Sequence, residues 1–227
     1  MTNVEKAEDF FQGAEWSYQE MYDSYSSLER CFLGLGRQLM STLLKPAVVI
    51  LAVLGVSPNA VSISQIVAGI VIILTLTDHP RFAFLLFILA LLLDGLDGAL
   101  ARYAGRCSPF GALLDQLCDH TREILVVAAL TRAGALDPFW ATLYAFAYPA
   151  LNLTIFLCNY YQTPLPLAIK SYLVVYPVLF FYLWWGINWL DRAVALSVTL
   201  MGLIIVQGLL HLRQCLTPKA SVDRRRK

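Results

Sequence analysis

Four aspartates, Asp94, Asp97, Asp115 and Asp119, stand in a stretch otherwise apolar enough for a lipid bilayer. An ionised carboxylate in the middle of a membrane helix costs roughly 2.5–3.5 kcal/mol on insertion scales, and packing alone has no use for four of them. A divalent cation offsets that cost, because hard cations take oxygen ligands and neutralise clustered carboxylates. The chain must therefore fold so that these groups meet at a polar site inside, or at the edge of, an apolar bundle.

The remaining sequence supplies the bundle. Hydrophobic residues make up 58% of the chain, and several apolar stretches approach the roughly 20 residues a helix needs to cross a bilayer. A large water-soluble core is excluded. The pattern predicts an all-α membrane protein with six transmembrane helices, over residues 61–77, 82–102, 109–131, 139–160, 165–187 and 193–212. An amphipathic or re-entrant interfacial helix precedes them at 38–56, where Lys45-Pro46 interrupts an apolar run. Residues 1–37 form an acidic cytosolic extension, 57–214 the six-helix membrane domain, and 215–227 a basic tail.

Basic residues set the orientation, since they concentrate on cytoplasmic loops and tails. Arg37 and Lys45 precede the first span, Arg102 and Arg106 separate the second from the third, and Arg224, Arg225, Arg226 and Lys227 close the chain. The other side receives Arg81, Arg132 and Arg192. Both termini and the carboxylate run are thus expected to face the cytosol. The net charge of +1 gives no reason to expect nucleic-acid binding. Cys31, Cys107, Cys118, Cys158 and Cys215 are scattered without metal-ligand spacing and read as apolar fillers or free thiols.

On a helix turning about 100° per residue, Asp94 and Asp97 lie within roughly 60° of each other, and Asp115 and Asp119 within roughly 40°. Each helix thus offers a carboxylate pair on one face. Gly105, Ser108 and Pro109 suit a short turn, so the two helices are expected to pack antiparallel with those faces opposed. Such a cluster suits two metal ions that polarise a phosphoryl group and stabilise attacking and leaving oxygens. The oxygen-only donor set favours Mg²⁺ or Mn²⁺.

The whole run reads Asp-x2-Asp-Gly-x2-Ala-Arg-x8-Gly-x3-Asp-x3-Asp. At every specified position it resembles the motif of the CDP-alcohol phosphatidyltransferases, integral-membrane enzymes of phospholipid synthesis. It covers 26 of the 227 residues, so it speaks to chemistry more than to substrate. The resemblance implies that Asp94, Asp97 and Asp115 are metal ligands and that Asp119 is the catalytic general base with a share in coordination. It also implies that Gly98, Ala101, Arg102 and Gly111, together with Asp94 and Asp97, bind the cytidine nucleotide. Small residues at those positions let a nucleotide approach the backbone, although in membrane helices they also serve as packing contacts. The implied reaction moves a phosphatidyl group from CDP-diacylglycerol to a small polar alcohol, with release of CMP, in a homodimer embedded among membrane lipids.

Two basic residues outside the motif are candidates for acceptor binding. Arg122 lies seven residues after Asp115, on nearly the same face, with Glu123 beside it. The pair either recognises a polar acceptor or neutralises itself. Lys170, near the cytosolic end of the fifth span, either meets an acceptor phosphate or snorkels to the interface. His120, next to Asp119, reads as a neighbouring polar residue. Two rival functions remain at this level: transfer of a phospho-amino-alcohol from a CDP-alcohol to diacylglycerol, and cation transport through the same carboxylates. Transporter sites, however, sit near the bilayer midplane on broken helices within repeats, whereas these acids lie beside a turn.

Overall fold

The computed structural model describes residues 43–166 and 171–216. The acidic extension, Lys170 and all but the first two residues of the basic tail lie outside the described residues, as does the start of the interfacial segment. Among the described residues the chain is all helical, in seven helices. These are α1 (Leu43–Val53), α2 (Pro58–Thr75), α3 (Pro80–Tyr103), α4 (Pro109–Arg132), α5 (Pro138–Tyr160), α6 (Ser171–Trp185) and α7 (Leu190–Leu216).

Local sequence explains where the helices begin and end. Four of them start on proline, whose fixed φ and missing N–H suit the first turn. Ser57, Ser108 and Asp137 cap three of these starts by accepting from the N–H groups of Ala60, Gly111 and Phe139. The end of α3 is closed by Gly105 at φ +61°. There the Gly105 N–H reaches the Arg102 carbonyl and the Arg106 N–H reaches that of Ala101, a Schellman stop that needs a residue without a Cβ. Gly134 ends α4 in the same way. The motif helices are thus joined by a short turn, as expected from sequence.

Helices α2, α3, α5 and α7 are long and apolar enough to cross a membrane. Helix α4 has 24 residues but carries Asp115, Asp119, Arg122 and Glu123, and its charges keep it out of that set. The fifteen described residues of α6 are apolar almost throughout. Outward faces are apolar: Ile63, Val67, Ile70 and Leu74 of α2 are all exposed at helical spacing. Helix α1 has the same character. Its inner side, around Val48, packs on Val61, Leu96 and Leu100, while Leu43, Ile50 and Val53 face outward.

The packing of the motif helices departs from the sequence expectation. Helix α2 packs along both α3 and α4, which make at most marginal contact with each other. The carboxylates of the two helices still approach one another, Asp115 coming within interaction range of Asp97 and Asp94, while α2 packs beside both helices. Helix α2 can approach closely because of Gly69, where a Cβ would lie 2.8 Å from Leu125 Cδ1. Around this trio, α5 packs against α7 and more lightly against α4, while α6 joins α7 to α3. The main apolar core runs between these helices from Ile72 and Phe87 to Leu151 and Met201.

Candidate active site

Ser62 and Gln65 of α2 sit three residues apart and so share one helix face. Ser62 Oγ donates to Asp97 Oδ2 at 2.5 Å. Gln65 Nε2 lies 3.4 Å from both Asp94 Oδ1 and Asp97 Oδ2. The other end of the same amide, Oε1, accepts from Arg122 Nη1 at 2.6 Å. One glutamine therefore links the aspartates of α3 to the guanidinium of α4. Neither Ser62 nor Gln65 was singled out from sequence. Their signal was nevertheless there, as two polar residues at helical spacing in an apolar span.

Arg122 is only 1% exposed. Its Nη2 donates to Asp119 Oδ1 and, at 3.4 Å, to Glu123 Oε1, and its Nη1 lies 3.9 Å from Asp94 Oδ1. The structure thus commits this guanidinium to the protein's own carboxylates. These contacts are those of internal neutralisation, one of the two sequence readings. Glu123 is as deeply buried and accepts from Tyr144 OH of α5 at 3.3 Å and from Tyr176 OH of α6. Asp119 is held on its other side by Tyr148 OH, which donates to Oδ2 at 3.0 Å. The tyrosines were also missed, although Tyr144, Tyr148 and Asn152 form an i, i+4, i+8 polar stripe along α5.

Asp115 lies near Asp97, Asp94 and Asp119, close enough for their charges to act on one another. Asp97 Oδ1 and Asp115 Oδ1 are both buried without a hydrogen-bond partner among the described residues. Around the nucleotide motif, a Cβ on Gly98 would lie 3.4 Å from Arg102 Nη1, so the arginine folds back over the glycine one turn before it. Gly111 is flanked by Ser108 Oγ and, from α2, by Asn59 Oδ1. Arg102 and Arg106 are exposed beside the turn, and Ala101 is partly buried. His120 packs edge-on against Tyr148.

These groups all fall inside a region, residues 55–210, matched by the family model for CDP-alcohol phosphatidyltransferases. The chain belongs to that family. Among its relatives, an archaetidylinositol phosphate synthase from Aeropyrum pernix is 47% identical over 55 residues, which is 24% of this chain and 28% of the relative. A phosphatidylinositol phosphate synthase from Mycobacteroides abscessus is 32% identical over 123 residues, covering 53% of this chain and 51% of the relative. A CDP-diacylglycerol–glycerol-3-phosphate 3-phosphatidyltransferase from Cereibacter sphaeroides is 31% identical over 87 residues, 36% and 39% of the two chains. The chain thus spans about half or less of the length of these curated relatives. No solved structure matches it.

The family's divalent-cation dependence can be tested against these side chains. The donor set is all oxygen, which suits Mg²⁺ or Mn²⁺. Two of its oxygens are buried without partners, a costly state in an apolar setting that a cation would relieve. Among the described residues no three His, Cys, Asp or Glu side chains already converge at ligand distance. The fit therefore rests on donor chemistry and on the two orphaned oxygens.

Proposed function

We propose that this CDP-alcohol phosphatidyltransferase transfers the phosphatidyl group of CDP-diacylglycerol to the hydroxyl of a small polar alcohol and releases CMP. The observation that carries this reading is the approach of Asp94, Asp97, Asp115 and Asp119 to one another, with Asp94 and Asp119 also facing the buried guanidinium of Arg122, inside the family's matched region. The acceptor oxygen forms a new bond to the β-phosphorus as the bond from that phosphorus to the CMP oxygen breaks. Asp119 accepts the hydroxyl proton. Arg102, folded over Gly98 at the exposed end of α3, meets the pyrophosphate with a charge-assisted fork, and Gly98, Ala101 and Gly111 leave room for the nucleotide. Asp94, Asp97, Asp115 and Asp119 would hold two Mg²⁺ or Mn²⁺ ions, which when bound supply charge neutralisation at the phosphoryl oxygens.

The relatives' names favour the CDP-diacylglycerol branch over transfer from a CDP-amino-alcohol. We take a phosphorylated polyol acceptor, such as the glycerol 3-phosphate in one relative's name, as the leading candidate. With Arg122 committed internally, Lys170 remains the candidate for the acceptor phosphate. The topology that supports this chemistry has six spans, with α4 and α6 completing the four apolar helices; at 24 residues α4 is about 36 Å long, enough for a hydrocarbon core of about 30 Å. The turn between α3 and α4 and both termini face the cytosol, and the working unit is a homodimer.

The test is to incubate purified protein with CDP-diacylglycerol, Mg²⁺ or Mn²⁺ and a panel of acceptors, following CMP and the lipid product. Metal-dependent CMP release with one acceptor supports the reading. Ion flux in sealed vesicles without nucleotide chemistry overturns it in favour of transport.

A further inference from the structure

Both oxygens of Asp119 already have donors, and the two donors come from different helices. Tyr148 of α5 reaches Oδ2 at 3.0 Å, and Arg122, one turn further along α4, reaches Oδ1. A carboxylate turns easily about its last torsion. Two donors on opposite oxygens remove that freedom.

The donors are themselves held. The Tyr148 ring stacks on Tyr144 at 5.8 Å with 10° between planes and takes His120 edge-on at 5.4 Å. Arg122 is anchored by Glu123, which is 3% exposed and also takes hydroxyl donors from Tyr144 and Tyr176. Tyr176 in turn packs edge-on against Phe87 of α3 at 4.9 Å. Glu123 lies beyond the aspartate motif, and its carboxylate is taken up by these three donors.

We propose that Tyr148 and Glu123 are positioning residues that fix the Asp119 carboxylate, Tyr148 by a direct hydrogen bond and Glu123 through Arg122. This rests on the reading of Asp119 as the proton acceptor. Its role is geometric: a misplacement of about 1 Å in a reacting group can cost on the order of 100-fold in rate. The brace also ties the site to α5 and α6, so that helices outside the motif determine how the motif's last aspartate points.

Tyr148→Phe removes one hydroxyl and keeps the ring packing. It should lower kcat by about tenfold or more, with KM for CDP-diacylglycerol and its affinity measured without acceptor changed by less than about twofold. Glu123→Gln, which keeps one acceptor oxygen and can offer an N–H to the other tyrosine's oxygen, should lose less than Glu123→Ala. The decisive measurement places Tyr148→Phe in an Asp119→Asn background, where no further loss is expected because the group it positions no longer takes a proton. An equal loss in both backgrounds, or donor binding that falls in parallel with kcat, overturns the inference. Wild-type turnover with an unchanged Tyr148→Phe overturns this inference alone. Absence of CMP release from the wild type with every acceptor overturns the functional reading and this inference with it.

Discussion

Ser62 Oγ lies 2.5 Å from Asp97 Oδ2, a contact between a helix outside the aspartate motif and a carboxylate at its centre. Asp97 is 3% exposed and its other oxygen has no hydrogen-bond partner among the described residues. The serine therefore fixes one edge of the carboxylate, and the other is the oxygen assigned above to the proposed cation site. Helix α2 thus donates to the carboxylates of α3 and accepts from Arg122 of α4.

Removing that donor should be felt in both stability and turnover. Ser62→Ala leaves a buried carboxylate oxygen short of a partner, at a cost of about 1–3 kcal/mol. Thermal unfolding in detergent should show a lowered midpoint, and CMP release should fall with a raised metal requirement. A variant with wild-type metal dependence would show that Asp97 is oriented without Ser62.

Asp94→Asn and Asp97→Asn should each abolish CMP release while leaving the helical circular-dichroism signal intact. Removing divalent ions from the wild type with a chelator should do the same, with recovery on adding back Mg²⁺ or Mn²⁺. Full activity in a thoroughly metal-free preparation would exclude the shared-cation role of these carboxylates.

Much of this architecture was legible from residues. Helices α2 to α7 fall on the six expected segments, four of them long and apolar enough to cross a membrane, and the Ser-Pro, His-Pro and Asp-Pro dipeptides fix four of their starts. The pairing of carboxylates within each helix followed from helical periodicity. What the spacing could not show was that α2 packs along both α3 and α4. That arrangement depends on Gly69 and on the polar side chains of Ser62 and Gln65, whose partners are 29 to 57 residues away. Arg122 illustrates the same limit. Its type and register were plain, but its choice of Asp119, Glu123 and Gln65 as partners is decided by tertiary packing.

Close packing of α5 on α7 is set by Gly208, where a Cβ would come within 2.4 Å of Thr154 Cγ2 and 3.5 Å of Cys158 Sγ. Gly208→Val should force the helices apart and lower the unfolding midpoint, by the equivalent of about 1–3 kcal/mol for an overpacked core. Pairing it with Thr154→Ser, which removes the obstructing methyl, should recover part of the loss. No recovery would locate the strain elsewhere.

Arg122 and Lys170 should now separate experimentally, although sequence grouped them. Arg122→Met strands Asp119 and Glu123 without their shared cation in a buried setting, where loss of one partner costs about 3–5 kcal/mol. The expected outcome is poor folding or a sharply lowered unfolding midpoint, with both substrates affected. Arg122→Lys keeps the charge but not the fork that reaches Gln65 and Asp119 together, so it should recover stability more than turnover. Lys170→Ala should instead raise the Michaelis constant of a phosphorylated acceptor while leaving that of CDP-diacylglycerol and the unfolding midpoint near wild type. A stable Arg122→Met variant whose only change is a higher acceptor Michaelis constant would return Arg122 to the acceptor side of the site.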